Sequence, residues 1–178
     1  KLLRENGLDY SPSQIVVSSG AKHSLFNVFQ AVVEVGDEVI MPSPYWLTYP
    51  ELIRLAGGTP VFVSTKAEND FKITAEEFEN AVTAKTKAIV LNSPNNPTGA
   101  VYGEEELKRL AEVAVRHDIV VISDEIYEKL VYHGKKHISI ASLGKEIKDL
   151  TVVVNGVSKA FAMTGWRIGS LAAPENVA

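Results

Sequence analysis

Short apolar runs alternate along the chain with stretches whose apolar residues recur every three or four positions. Seven runs read as strands: residues 15–17, 38–41, 60–63, 88–91, 119–122, 151–154 and 168–172. Most are continuously apolar, as expected of strands covered on both faces in a mostly parallel sheet. Between them, residues 22–34 place Leu25, Phe26, Val28, Phe29 and Val32 on a broad apolar face, which predicts a helix. Residues 104–117 put Leu107, Leu110, Ala111 and Ala114 on one stripe and predict another. Thr74 and Glu77 have the spacing of a capping box, so a helix starts just after Thr74. Alternating strands and helices predict a three-layer α/β/α sandwich around a mostly parallel sheet of about seven strands. Residues 57–58 and 133–136 read as turns inside this unit. Residues 1–7 read as a helix with Gly7 past its end, and residues 174–178 as the first turn of another. Both ends therefore read as cut from a longer protein.

Composition narrows the classes. A chain of 178 residues suits one domain. A net charge of −4 argues against a dedicated nucleic-acid binder. Neither a membrane-length apolar span nor a secretory leader is evident. Cysteine is absent, which excludes disulfides, thiolate nucleophiles and cysteine metal sites and is compatible with a cytoplasmic setting.

In parallel α/β sheets ligands bind beyond the carboxyl ends of the strands. Reading past each strand collects a set of chemically distinct groups. The first strand runs into Gly20-Ala21-Lys22 and opens a helix, a place for an anion. The second leads to Trp46, the fourth to Asn96 within Asn-Asn-Pro-Thr-Gly, and the fifth to Asp124 and Tyr127. The sixth leads to Ser158-Lys159, with Arg167 eight residues further on. A lysine just past a buried strand is expected in a semi-apolar mouth. There desolvation disfavours the ammonium and favours the neutral amine that attacks an aldehyde. Each residue also has an ordinary alternative: Gly20 as a tight turn, Trp46 as core, Asn96 as the cap of a proline turn, Arg167 as a surface ion-pair partner. Asp124 is harder to dismiss, because a carboxylate after a buried strand is costly without a hydrogen-bonding or cationic partner.

Asn92 to Gly99, Ser123-Asp124-Glu125-Ile126-Tyr127 and Asn155 to Gly169 closely resemble the fold-type I, pyridoxal-phosphate-dependent aminotransferases of class I/II. The Gly165-Trp166-Arg167-Ile168-Gly169 wording and the Tyr45-Trp46 pair look most like the prokaryotic-type aspartate aminotransferase branch. The resemblance covers essentially the whole chain. It implies one pyridoxal-phosphate-binding large domain over residues 1–178, without the N-terminal arm and the C-terminal small domain. It also implies transamination of aspartate or another acidic amino acid with 2-oxoglutarate, by a ping-pong route in a cytoplasmic homodimer. Lys159 would form the internal aldimine and move the proton between substrate and cofactor. Asp124 would pair with the pyridine nitrogen, while Tyr127 and Asn96 hydrogen-bond the phenolic oxygen and Trp46 stacks on the ring. The amides of Gly20, Ala21 and Lys22, with Ser158 and Arg167, would hold the phosphate. Lys22 would also meet the side-chain carboxylate of an acidic substrate, with Trp46 and Asn96 beside it. Relatives often carry a serine three residues before the lysine, where this chain has Gly156. The arginine expected for the substrate α-carboxylate lies outside the segment.

Rival readings are weaker. Residues 119–125 mimic a Walker B strand, but neither a phosphate-cradling Gly-x-x-x-x-Gly-Lys-Ser/Thr loop nor a Gly-x-Gly-x-x-Gly fingerprint is present. His133 and His137 have helical ligand spacing, yet the intervening Gly-Lys-Lys reads as an exposed turn, and no metal is expected. A cofactor-sensing domain of a transcription regulator and a carbon–sulfur lyase remain the alternatives on the same scaffold.

Overall fold

The computed structural model describes residues 2–178; Lys1, the first residue of the predicted opening helix, lies outside them. All seven predicted strands form, as β1 (Ile15–Ser19), β2 (Glu38–Ser43), β3 (Thr59–Ser64), β4 (Thr86–Asn92), β5 (Val120–Asp124), β6 (Thr151–Gly156) and β7 (Ile168–Ala172). They make one sheet in the order β1-β7-β6-β5-β4-β2-β3. β2, β3, β4, β5 and β6 are parallel neighbours where they meet. β7 runs antiparallel to both β6 and β1. It follows that β1 points the same way as β6, so six strands deliver their carboxyl ends to one edge. The same edge receives the amino end of β7, and that reversal positions the site.

Helices cover both faces, giving the expected three layers. α2 (Ala21–Val32) and α3 (Tyr49–Leu55) pack on one face. There Leu25, Phe29, Met41, Ile53, Ile122 and Val152 share a core. α4 (Ala75–Ala81), α5 (Glu104–Arg116) and α6 (Lys145–Asp149) cover the other, where Phe78, Leu110, Ile119, Val121 and Ile147 meet. The central strands β5 and β6 are buried almost end to end, which is why their sequences are continuously apolar. β3, on the sheet edge, alternates exposed and half-buried residues instead.

Helix boundaries differ from the expected ones by a residue or two. α2 ends at Val32, and Val33 is already extended. Of its predicted apolar face, Phe26 is exposed while Leu25, Val28, Phe29 and Val32 are buried. The capping box forms as predicted: the Glu77 amide donates to Thr74 Oγ1 at 3.1 Å, and the Thr74 amide to Glu77 Oε2 at 2.9 Å. The opening helix α1 spans Leu2–Asn6, with Gly7 left-handed at φ 68°. At the other end the amides of Val177 and Ala178 both reach the Pro174 carbonyl, a single turn. α3 and α6 are short helices absent from the sequence-based expectation. For α3 a signal existed: Pro50 in the first turn, with Tyr49, Leu52 and Ile53 at three- and four-residue spacing. Among the described residues no helix is long and apolar enough to cross a membrane.

Candidate active site

The strand ends enclose a cavity of about 370 Å³. Ala21, Lys22, Trp46, Asn96, Asp124 and Tyr127 line it, as do Ser158, Lys159 and Arg167. Of the residues expected to hold the cofactor, Gly20 alone is not in the lining, and it packs against Arg167.

Gly20 caps α2 at φ 83°, a conformation that disfavours side chains. A β-carbon there would lie 2.3 Å from Nη2 of Arg167. The guanidinium thus occupies the space that any larger residue would need. Arg167 itself is left-handed at φ 51° and anchors Nη1 on the Thr164 carbonyl at 3.0 Å. Its position follows from the sheet: Ser18 and Ser19 of β1 pair with Gly169 and Ile168 of β7, so the residues flanking the two strands meet. The first amides of α2, at Ala21 and Lys22, have no acceptor within the helix. Free helix amides beside a guanidinium are chemically suited to hold an anion.

Asp124 lies deeper and is only 4% exposed. Its Oδ2 accepts a 2.7 Å hydrogen bond from the Tyr49 hydroxyl, and Oδ1 accepts from the Ile126 amide at 3.2 Å. Both donors are neutral. Burial pushes the carboxyl up to about 6; the Tyr49 and Ile126 hydrogen bonds pull it down, and the charge of Glu125 pushes it up. The Tyr49 phenol is raised well above its ordinary value, first by burial and then by the Asp124 charge. A buried carboxylate with neutral partners, facing a cavity, is arranged to receive a cation.

Asn96 lies near Tyr127, its Nδ2 donating to the phenol at 3.3 Å. The turn at residues 95–99 is capped by Asn95 rather than by Asn96: Asn95 Oδ1 accepts from the Thr98 amide at 3.2 Å and from Thr98 Oγ1 at 2.9 Å. Asn96 is thereby released toward the cavity. Buried Asn92 holds it there, accepting from the Asn96 amide at 2.8 Å while donating to the Asp124 carbonyl at 2.9 Å. Behind β5, Glu125 fixes the loop that carries Tyr127. It accepts from Ser123 Oγ at 2.9 Å and Ser139 Oγ at 2.6 Å, and meets His137 Nε2 at 2.9 Å. His133 is exposed in its turn, so the two histidines serve separate local roles.

One expectation needs correction. Lys159 lines the cavity, with Nζ 5.8 Å from the Tyr127 ring centroid, but the residue is exposed rather than set in a semi-apolar mouth. The cause is local: residues 157–167 form a loop with one short 3-10 helix (Thr164–Trp166), and β6 is buried only as far as Gly156. At Gly156, where relatives often carry a serine, the packing leaves no room for a side chain. A β-carbon there would come within 2.9 Å of the Ile168 carbonyl oxygen and 3.0 Å of Ile126 Cδ1. Trp46, half-buried, stands edge-on to Tyr49 at 5.3 Å, and Lys22 Nζ lies 5.0 Å from its ring centroid. Tyr49 and Asn92 also line the cavity, although neither stands out in the sequence as a site residue. A polar residue closing the buried β4 run was the available signal for Asn92.

The sheet order, the helix layers and a polar cavity at the strand ends define an α/β enzyme-like domain in which a guanidinium and free helix amides stand beside a buried acid. A family model described as aminotransferase class I and II matches residues 1–178, and the chain belongs to that family. It is 56% identical over 177 residues to the aspartate aminotransferase of Bacillus subtilis, covering 99% of this chain and 45% of that protein. It is 51% identical over 177 residues to the aspartate/prephenate aminotransferase of Thermus thermophilus, covering 99% of this chain and 45% of the relative. Among solved structures, the Thermus thermophilus aspartate aminotransferase with maleate superposes with a TM-score of 0.95 at 51% identity, over 99% of this chain and 45% of that one. The aromatic aminotransferase of Pyrococcus horikoshii superposes with a TM-score of 0.96 at 43% identity, over 99% of this chain and 48% of that one. The chain therefore spans a little under half the length of these relatives.

Proposed function

We propose that residues 1–178 are the cofactor-binding domain of a pyridoxal-phosphate-dependent aminotransferase. On this reading the enzyme moves the amino group of aspartate or a similar acidic amino acid to 2-oxoglutarate by a ping-pong route. The observation that carries the proposal is the single cavity joining Lys159, the buried Asp124 and the anion site of Gly20 and Arg167.

The residues present fit that cofactor. The space that a β-carbon on Gly20 would fill is taken by the Arg167 guanidinium, which with the Ala21 and Lys22 amides and Ser158 would hold the phosphate. Asp124, buried with neutral donors, would meet a protonated ring nitrogen. Asn96 and Tyr127 would hydrogen-bond the phenolic oxygen, and Trp46 would stack on the ring. Pyridoxal phosphate supplies an aldehyde that condenses with amines and a ring that withdraws electrons. Lys159 would hold the aldehyde carbon and later carry the proton at the substrate Cα. Its exposure in this segment agrees with a site whose mouth is closed by further chain or by a second subunit.

Substrate choice is supported by Lys22 at the cavity rim and by the Bacillus and Thermus relatives named for aspartate, one of them solved with the dicarboxylate maleate. The Pyrococcus aromatic aminotransferase sets the alternative, an aromatic amino acid on the same scaffold. A homodimer is supported by exposed Leu47, Phe161 and Trp166. Cytoplasmic placement follows the family resemblance and belongs to the same proposal.

The test is the visible spectrum of the full-length protein mixed with pyridoxal phosphate. A pH-sensitive absorption band is expected in the wild type and its loss in Lys159→Ala. An unchanged band in that variant would place the covalent role on another amine.

A further inference from the structure

Tyr49 enters the cavity from the first turn of α3 and has no part in the proposal above. The residue is 2% exposed, and its hydroxyl makes the 2.7 Å hydrogen bond to Asp124 Oδ2. Among the described residues this is the one side-chain hydrogen bond to that carboxylate; the Ile126 amide supplies the other contact. The amide comes with the backbone of the turn after β5, whatever the side chains nearby. The phenol does not. Phenylalanine would fill the same core space against Trp46, so packing alone leaves the oxygen unexplained.

We infer that Tyr49 is a positioning residue whose hydroxyl holds the Asp124 carboxylate ionised and aimed into the cavity, ready for the ring nitrogen of the cofactor. The inference rests on the cofactor reading above. Because burial and the Asp124 charge both raise the phenol, Tyr49 keeps its proton and acts only as donor. Charged or titratable groups reach the same cavity or carboxylate from the other elements. Lys22 comes from α2, Glu125 and Tyr127 follow β5, and Lys159 and Arg167 follow β6. The end of β4 contributes the neutral Asn92 and Asn96. None of these side chains replaces the phenol as a hydrogen-bond donor to the carboxylate. Without it, desolvation acts on Asp124 with one counterweight fewer, and the carboxyl takes up its proton at higher pH.

The experiment measures the Kd of pyridoxamine phosphate against pH in full-length wild type and Tyr49→Phe. This probe lacks the aldehyde, so imine formation at Lys159 does not enter. Wild-type affinity is expected to fall as pH drops through about 6. In Tyr49→Phe the fall is expected about one pH unit higher, with affinity near wild type at alkaline pH. In an Asp124→Asn background the same substitution should leave the profile unmoved. Identical profiles in wild type and Tyr49→Phe would overturn the inference, as would an equal loss at every pH, which a packing defect produces. Should Tyr49→Phe not fold, 3-fluorotyrosine at position 49, a stronger donor of nearly the same volume, decides: a fall at lower pH than in wild type supports the inference and an unmoved profile overturns it. Wild-type protein that binds neither pyridoxamine phosphate nor pyridoxal phosphate would instead refute the cofactor reading itself.

Discussion

Gly20 and Arg167 occupy each other's space: a β-carbon on the glycine would sit 2.3 Å from Nη2 and 2.9 Å from Cζ of the arginine. The contact joins the end of β1 to the loop before β7, across 147 residues of chain (167 − 20). Gly20→Ala must push the guanidinium out of the anion site and also hold alanine at φ 83°. With ψ at 160° the backbone strain is on the order of 1–3 kcal/mol, and the domain should still fold. Pyridoxal phosphate should bind about tenfold or more weakly, because one charge-assisted hydrogen bond to the phosphate is worth at least about 1.4 kcal/mol. Fluorescence titration checks this, and an unchanged Kd would remove Arg167 from the anion site.

Asp124 carries a stability cost with a definite sign. Its carboxyl is raised from 3.8 to about 6, so between those values the folded protein binds more protons than the unfolded chain. The stability that the protonated form contributes is fully present below 3.8 and is lost as pH rises through about 6. The gap between 3.8 and about 6 corresponds to a loss on the order of 3 kcal/mol. Asp124→Asn keeps an acceptor for Tyr49 and removes the charge. Without cofactor it should be more stable than wild type at neutral pH, and its urea midpoint should change less between pH 4 and 7. Transamination should meanwhile fall about 10²-fold or more, the scale on which a group that holds a proton in place contributes. Near-normal turnover would detach Asp124 from the ring nitrogen.

Lys22 separates the acidic-substrate reading from the aromatic one. Its ammonium lies 5.0 Å from the Trp46 ring centroid, at the rim of the cavity. Lys22→Ala should lower kcat/KM for aspartate about tenfold more than for phenylalanine, since a charge-assisted hydrogen bond is worth about 1.5–3 kcal/mol. Steady-state assays with both amino donors measure the difference. Equal losses would count against aspartate as the preferred substrate.

Gly156 is the position where a serine would be welcome by chemistry and unwelcome by packing. Gly156→Ser sets its β-carbon 2.9 Å from the Ile168 carbonyl oxygen, a backbone atom with little freedom to yield. The expected result is a loss of about 1–3 kcal/mol in chemical denaturation, with no gain in cofactor affinity. A stable, tighter-binding variant would show that the β6–β7 pair is more pliant than its packing implies.

Much of this architecture was legible locally. The apolar runs named every strand, because central strands such as β4, β5 and β6 are covered on both faces and tolerate little else. The Thr74 cap was readable because a capping box is complete within four residues. α3 was missed since seven residues hold too few repeats for a period to emerge. Asn96 was ambiguous because neighbouring Asn95 has the same chemistry, and only the fold decides which one caps the turn.

What the residues alone determined is therefore the kind and order of the elements and the groups standing at their ends, for both are written in short-range periodicity and residue identity. Only the folded chain decided that β7 reverses, which sets Arg167 against Gly20. It also decided that Tyr49 reaches across 75 residues to hold Asp124, and that Lys159 stands exposed at the rim. Such relationships depend on strand order and on space left between distant segments, and no local pattern encodes either.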